Sequence, residues 1–242
     1  MEKQIINCSS LSSKEINSLL RVPRTSNVAL TGILGQRFIG SGMKDIDVEI
    51  SGTPGNALGA YLDGGKISVK GNAQDAVGDT MNEGNIIIHG SVGDALGYSM
   101  RGGKIYVKEN SGYRTGVHIK EYADKKPLIV IGGKTGSFLG EYLAGGTIVV
   151  LGLGIDGTVA GNFTGTGMHG GVIYLRTDVL PPNLPKQVSV FDAGKDDIFY
   201  LESLLSEYFA LFNLKPEEIL SSHFFVLRPN ARNPYKQLYV LN

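Results

Sequence analysis

Short apolar pairs recur along the chain at a fixed interval, and glycine interrupts each before a helix could form. Ile67 and Val69 alternate with Lys66, Ser68 and Lys70, the period-two pattern of a half-buried strand. The same register returns as Ile86/Ile88 and Ile105/Val107. Upstream it gives Val48/Ile50, and downstream Leu128/Val130, Ile148/Val150 and Ile173/Leu175. A second apolar pair per unit, Leu58/Leu62, aligns with Val77/Met81 and Leu96/Met100.

Glycine sets the period. Gly40, Gly59, Gly78, Gly97 and Gly116 fall 19 residues apart, and Gly65, Gly84 and Gly103 repeat the interval six positions later. The segments 55–71, 74–90 and 93–109 align without a gap, and an earlier copy covers 36–52. A stretched copy, 112–131, carries the insertion EYADKK, and two further copies place Gly140 and Gly161 in the anchor position. Such spacing predicts about seven coils that turn on glycine and stack with strands roughly 4.8 Å apart. The expected fold is mainly β, a right-handed parallel β-helix. A β-prism or propeller fits less well, because a blade needs about 40 residues. The inward column is read as Val48, Ile67, Ile86, Ile105, Leu128, Ile148 and Ile173. Ile87 and Tyr106, apolar on the outward side, mark a candidate partner surface.

The ends break the pattern. Ser12-Ser13-Lys14-Glu15 has capping-box spacing before Ile16, Leu19 and Leu20, which predicts a short helix within an N-terminal segment, 1–26. The repeat is assigned to 27–179. After the proline-rich run 180–185, Asp196 or Asp197 is expected to cap a helix with Ile198, Leu201, Leu205, Tyr208, Phe209 and Phe212 on one face. Pro216 opens a second helix, and the segment from His223 onward reads as extended. The region 180–242 therefore packs on the solenoid or on a partner.

Composition narrows the chemistry. Glycine contributes 34 of 242 residues, about twice its ordinary share of roughly 7 %. Formal net charge is zero, so no global field draws the chain to nucleic acid or to an anionic membrane. No apolar run approaches the roughly 18–20 residues of a membrane span, and the N-terminal residues lack a signal-peptide core, so the cytoplasm is expected. Cys8 is the single cysteine, too few for a disulfide or a thiolate-held cluster. None of His89, His118, His169 and His223 stands at metal-ligand spacing from another. Asp63, Asp75, Asp79 and Asp94 could gather along one corner, but Lys66, Lys70, Lys104 and Lys108 suggest a mixed solvated face. Residues 152–157 spell GxGxxG after a strand. A dinucleotide site needs a helix next, whereas TVAGNFTGTGMHGG follows, so the run is read as a corner.

The runs NVALTGILGQRFIGSG (27–42), GTPGNALGAYLDGG, GNAQDAVGDTMNEG, GSVGDALGYSMRGGKIYV, GGKTGSFLGEYLAGGTIVVLG and GTGMHGGVIYLR (165–176) resemble the C-terminal GXGXG domain of the glutamate synthase large subunit, in its free-standing form. One of the subunits of formylmethanofuran dehydrogenase resembles the same repeat. The resemblance implies a scaffold in glutamate biosynthesis and ammonia assimilation, without catalytic, cofactor-binding or metal-binding residues of its own. FMN and an iron–sulfur cluster would sit on a partner subunit, and the partners would be amidotransferase and synthase subunits of an oxidoreductase complex. An N-terminal cysteine nucleophile is expected elsewhere, since Cys8 stands behind seven residues. Self-association is compatible with this reading. A formylmethanofuran dehydrogenase-like complex is the alternative, and a self-contained carbohydrate-active or carbohydrate-binding β-helix ranks below it.

Overall fold

Nine parallel strands add to one sheet in sequence order in the computed structural model, which describes residues 3–230. They are β1 (Gln4–Asn7), β2 (Asn27–Leu34), β3 (Asp47–Thr53), β4 (Asp63–Val69), β5 (Glu83–Ile88), β6 (Lys104–Val107), β7 (Leu128–Ile131), β8 (Ala144–Val150) and β9 (Gly170–Arg176). The sheet closes with two antiparallel strands in the order β9-β11-β10, where β10 is Val188–Asp192 and β11 is Phe224–Pro229. The protein is thus mainly β: the described residues form an eleven-stranded and mostly parallel sheet with three helices, α1 (Ser13–Arg21), α2 (Lys195–Phe212) and α3 (Pro216–Leu220).

Strand pairing puts the repeated residues on top of one another. Val28, Val48, Ile67, Ile86, Ile105, Ile129, Ile148 and Ile173 form one continuous column, each the register partner of the next. All are buried in a single apolar core, together with Leu58, Leu62, Val77, Met81, Leu96 and Met100 from the glycine side. Leu128 is a correction to the expected column. It pairs with Lys104 and Thr147 and faces the other side of the sheet, while Ile129 takes the inward place. Alternation could not decide the parity there, because Leu128, Ile129, Val130 and Ile131 are all buried.

The corners stack as well as the strands. Gly59, Gly78, Gly97 and Gly116 each donate their N–H to the preceding corner, at Ile39, Leu58, Val77 and Leu96 carbonyls, over 2.7–2.8 Å. Gly140 continues the column by bonding Thr115, and Gly165 by bonding Leu139. Gly161 is therefore not an anchor. It bonds the Gly136 carbonyl and lacks the left-handed conformation that the column shares. The excursion at 152–157 displaces the anchor, so that 25 residues rather than 19 separate Gly140 from Gly165.

Both ends are covered by the chain itself. Ser12 caps α1 in a capping box with Glu15, whose carboxyl the Ser12 hydroxyl holds below its usual range. Ile16 and Leu20 close the core. The first corner has no predecessor to bond, and Asn17 replaces it: its Oδ1 accepts from Gly40 N–H and its Nδ2 donates to the Phe38 carbonyl, both at 2.9 Å. At the other end β11 and β10 turn the sheet antiparallel, and Val188 joins the core edge. The expected extended tail is β11 as far as Pro229; residues 231–242 lie outside the described range.

Candidate interaction surface

The outward sheet face is where a partner was expected, and the chain covers it itself. Ile87 and Tyr106 are 3 % and 0 % exposed, because α2 lays Leu201, Leu205, Tyr208 and Phe209 across the face with Leu128, Val130, Val149 and Tyr174. The assignment of Ile87 and Tyr106 to a partner surface is thus corrected: their apolar character serves the chain's own helix.

Polar contacts fix that helix. Glu207 accepts from Tyr106 Oη (2.9 Å), Lys104 Nζ (2.7 Å) and Asn85 Nδ2 (3.1 Å). Tyr208 Oη donates to the Val107 carbonyl at 3.0 Å. Burial, and then the Glu207 carboxylate, push the Tyr106 phenol far above its usual range, so it stays a donor. Tyr174 donates to Asp197, which also accepts from Arg228; burial leads the causes that raise its phenol to about 12. Asp197 further accepts the N–H of Gly194, the N-cap residue, so it caps α2 from its first turn.

The glycine corner, by contrast, is uncovered among the described residues. Two columns of side chains flank the anchor glycines, one two residues before each and one two residues after. Before stand Phe38, Ala57, Ala76, Ala95, Arg114, Phe138 and Phe163, all with φ of 55–63°. After stand Tyr61, Thr80, Ser99, His118 and Tyr142, with φ of 52–58°. This left-handed backbone costs a side-chain-bearing residue roughly 1–2 kcal/mol. Bulky groups nonetheless occupy it and point outward: Phe38 and Tyr61 are each 55 % exposed and Phe163 is 43 % exposed. They stack along the axis. Arg114 lies 5.5 Å over the Phe138 ring, and Phe138 stacks on Phe163 at 5.2 Å. His118 stacks on Tyr142 at 4.9 Å and meets the edge of Tyr98 at 5.9 Å. The result is an aromatic strip over the corners from Tyr98 to Phe163, whose one guanidinium, Arg114, is ion-paired with Glu141.

The remaining polar candidates separate. Asp75 and Asp94 are rungs, each accepting a backbone N–H from the next repeat (Asp94 N at 2.9 Å, Tyr113 N at 2.8 Å). Asp79 bonds the Thr80 hydroxyl, and Asp63 lies 3.9 Å from both Lys44 and Lys125. His89 sits near the end of α2, 5.4 Å from the Phe212 ring, and burial lowers its pKa. His169 contacts the Gly167 carbonyl at 3.2 Å. Cys8 is buried, which raises its thiol pKa. Among the described residues no three His, Cys, Asp or Glu side chains are grouped to hold a metal ion. No helix there is long and apolar enough to cross a membrane.

A family model for the GXGXG motif matches residues 3–225. The chain belongs to the GXGXG family. An uncharacterized protein of Methanocaldococcus jannaschii is 43 % identical to this GXGXG protein over 254 residues, covering 99 % of the chain and 97 % of the relative. Among solved structures, a chain of the formyltransferase/hydrolase complex from Methylorubrum extorquens, crystallised with methylofuran, matches with a TM-score of 0.61. At 17 % identity it covers 92 % of this GXGXG protein and 89 % of that chain, a likeness of fold.

The strip escapes a reading of the sequence although its signal is present. Phe38, Phe138 and Phe163 stand two positions before an anchor, and Tyr61, His118 and Tyr142 two after. Alternation alone assigns apolar and aromatic residues next to glycine inward. Only the alternating left-handed backbone turns these columns out.

Proposed function

We propose that this GXGXG protein is a non-catalytic scaffold subunit of a glutamate synthase-like complex in the cytoplasm, wound as a right-handed parallel β-helix of about seven coils. The observation that carries the reading is an asymmetry. The chain buries its apolar sheet face under α2, yet leaves the aromatic strip of the glycine corner open at a cost in backbone strain. A stiff stack with one prepared face suits a spacer that holds amidotransferase and flavin-bearing synthase subunits at fixed separation. Family membership and the order of the glycine runs support the same reading. FMN and the iron–sulfur cluster would belong to the partner.

The fold of the Methylorubrum chain favours a second reading, a scaffold in a formyl-transferring or formylmethanofuran dehydrogenase-like assembly. Affinity purification of the tagged full chain from the cells that make it, followed by mass spectrometry, separates the two. A flavoprotein synthase subunit in near-equal amount is the expected result. Formyltransferase or hydrolase subunits instead would establish the second reading, and a chain recovered alone would contradict both.

A further inference from the structure

The excursion at 152–157 forms one wall of a cavity of about 320 Å3. Segment 176–179 and the two residues before β11 form the others, through Arg176, Thr177, Asp178, Ser222 and His223. The loop is held open from behind. Leu153 N–H bonds the Gly132 carbonyl at 2.7 Å, and Thr177 Oγ1 donates to the Gly157 carbonyl at 2.8 Å. Gly154 and Gly157 have positive φ, with nothing within 4 Å of where a Cβ would stand. Unlike the anchors, these glycines are not crowded by a neighbour, and Gly157 leaves space in the cavity lining.

Arg176 lacks the partner its environment calls for. Its Nη1 donates to the Leu151 carbonyl at 2.9 Å, while its Nε is buried with no acceptor. Among the described residues no carboxylate lies within 4.0 Å of this guanidinium, although other charges nearby are paired. A half-buried guanidinium without an anion is costly, and its planar fork fits a carboxylate. At the rim stand two exposed carboxylates, Asp156 and Asp178; Asp178 is 3.2 Å from His223 Nδ1. Asp178 shares the single His223 imidazole with Asp192, and Asp156 is in no ion pair among the described residues, so the rim keeps a net negative charge that disfavours a dianion such as phosphate and attracts a cation.

We propose that this cavity binds a small zwitterion whose carboxylate meets Arg176 and whose ammonium lies toward Asp156 and Asp178, as in a free amino acid. The volume sits at the lower end of the roughly 300–1,000 Å3 of small-molecule sites. The inference stands apart from which complex the chain serves.

The test is a nitrogen-15 NMR titration of the full chain with free glycine, sodium acetate or inorganic phosphate at constant ionic strength. The Arg176 Nε–H resonance is identified by its loss in Arg176→Lys. Free glycine should move it saturably at a concentration at least about threefold below that for acetate, the size of an exposed ion-pair contribution. Asp178→Asn, on the exposed rim where folding is not at stake, should abolish that difference. No saturable movement with either carboxylate overturns the proposal, and so does phosphate saturating below free glycine.

Discussion

Gly97 and Ile129 meet across the boundary between successive repeats: a Cβ on Gly97 would stand 2.5 Å from Ile129 Cδ1. The same pairing joins Gly59 to Ile86 (2.7 Å), Gly78 to Ile105 (2.5 Å) and Gly140 to Ile173 (2.6 Å). Each of these anchors thus combines a left-handed φ with a contact in which an added Cβ would force the isoleucine terminal methyl to move. Gly97→Ala should destabilise the protein by about 2–4 kcal/mol, backbone strain and overpacking together. Ile129→Val removes the opposing methyl and alone should cost about 0.5–1.5 kcal/mol. In the double variant the two costs should fall short of their sum by about 1 kcal/mol, measured by urea denaturation. Strict additivity would mean that the residues do not touch.

Asn17 stands in for a missing preceding repeat, so its loss should be felt locally. Asn17→Ala leaves Gly40 N–H and the Phe38 carbonyl without their partner and should cost about 1–2 kcal/mol. Hydrogen exchange should show the effect concentrated in α1 and residues 36–43, with the β5–β7 amides nearly as protected as before.

Glu207 gathers three donors at the α2 interface. Glu207→Ala should cost about 1–3 kcal/mol, mostly through the buried Tyr106 hydroxyl left without an acceptor. Lys104→Ala at the exposed edge of the same cluster should stay within about 0.5 kcal/mol. Equal losses would place the energy in the ion pair rather than in the buried hydroxyl.

His223, the residue before β11, ties that strand's approach to the end of β10. Its Nε2 lies 2.9 Å from Asp192 Oδ1 and its Nδ1 3.0 Å from the Thr177 carbonyl. The Asp192 hydrogen bond leads the causes that raise its pKa. A raised folded-state value means the contribution is complete below the ordinary histidine range and fades as pH rises through the folded value. Exchange protection of β10 should therefore decline over that window in the wild type. In His223→Gln the decline should flatten; an unchanged profile would contradict the assignment.

The repeat is legible in the sequence because one period governs both glycine and isoleucine. From Val48 to Val69 the alternation of inward apolar and outward polar residues matches the observed register. Legibility fails where a second surface erases the contrast. Under α2 both faces of β7 are apolar, so Leu128 and Ile129 cannot be told apart by alternation. Gly161 is misplaced because glycines crowd the stretch after the 152–157 excursion and offer several anchors. Strands β1 and β10 carry no repeat signal; each is a short edge strand whose burial pattern reflects its one neighbour. Ile87 and Tyr106 do lie on the sheet face opposite the Ile86 and Ile105 column, as their register implies, but nothing in the repeat shows that α2 returns to cover them.

Whether the aromatic strip is the docking face can be read by cross-linking the purified complex with a lysine-reactive reagent and locating the links by mass spectrometry. Lys44 and Lys120, exposed beside the glycine corners, should carry the links to the partner subunits, with few from Lys66, Lys70 and Lys108 on the strand side. Links concentrated on those three lysines, with Lys44 and Lys120 free, would contradict the account.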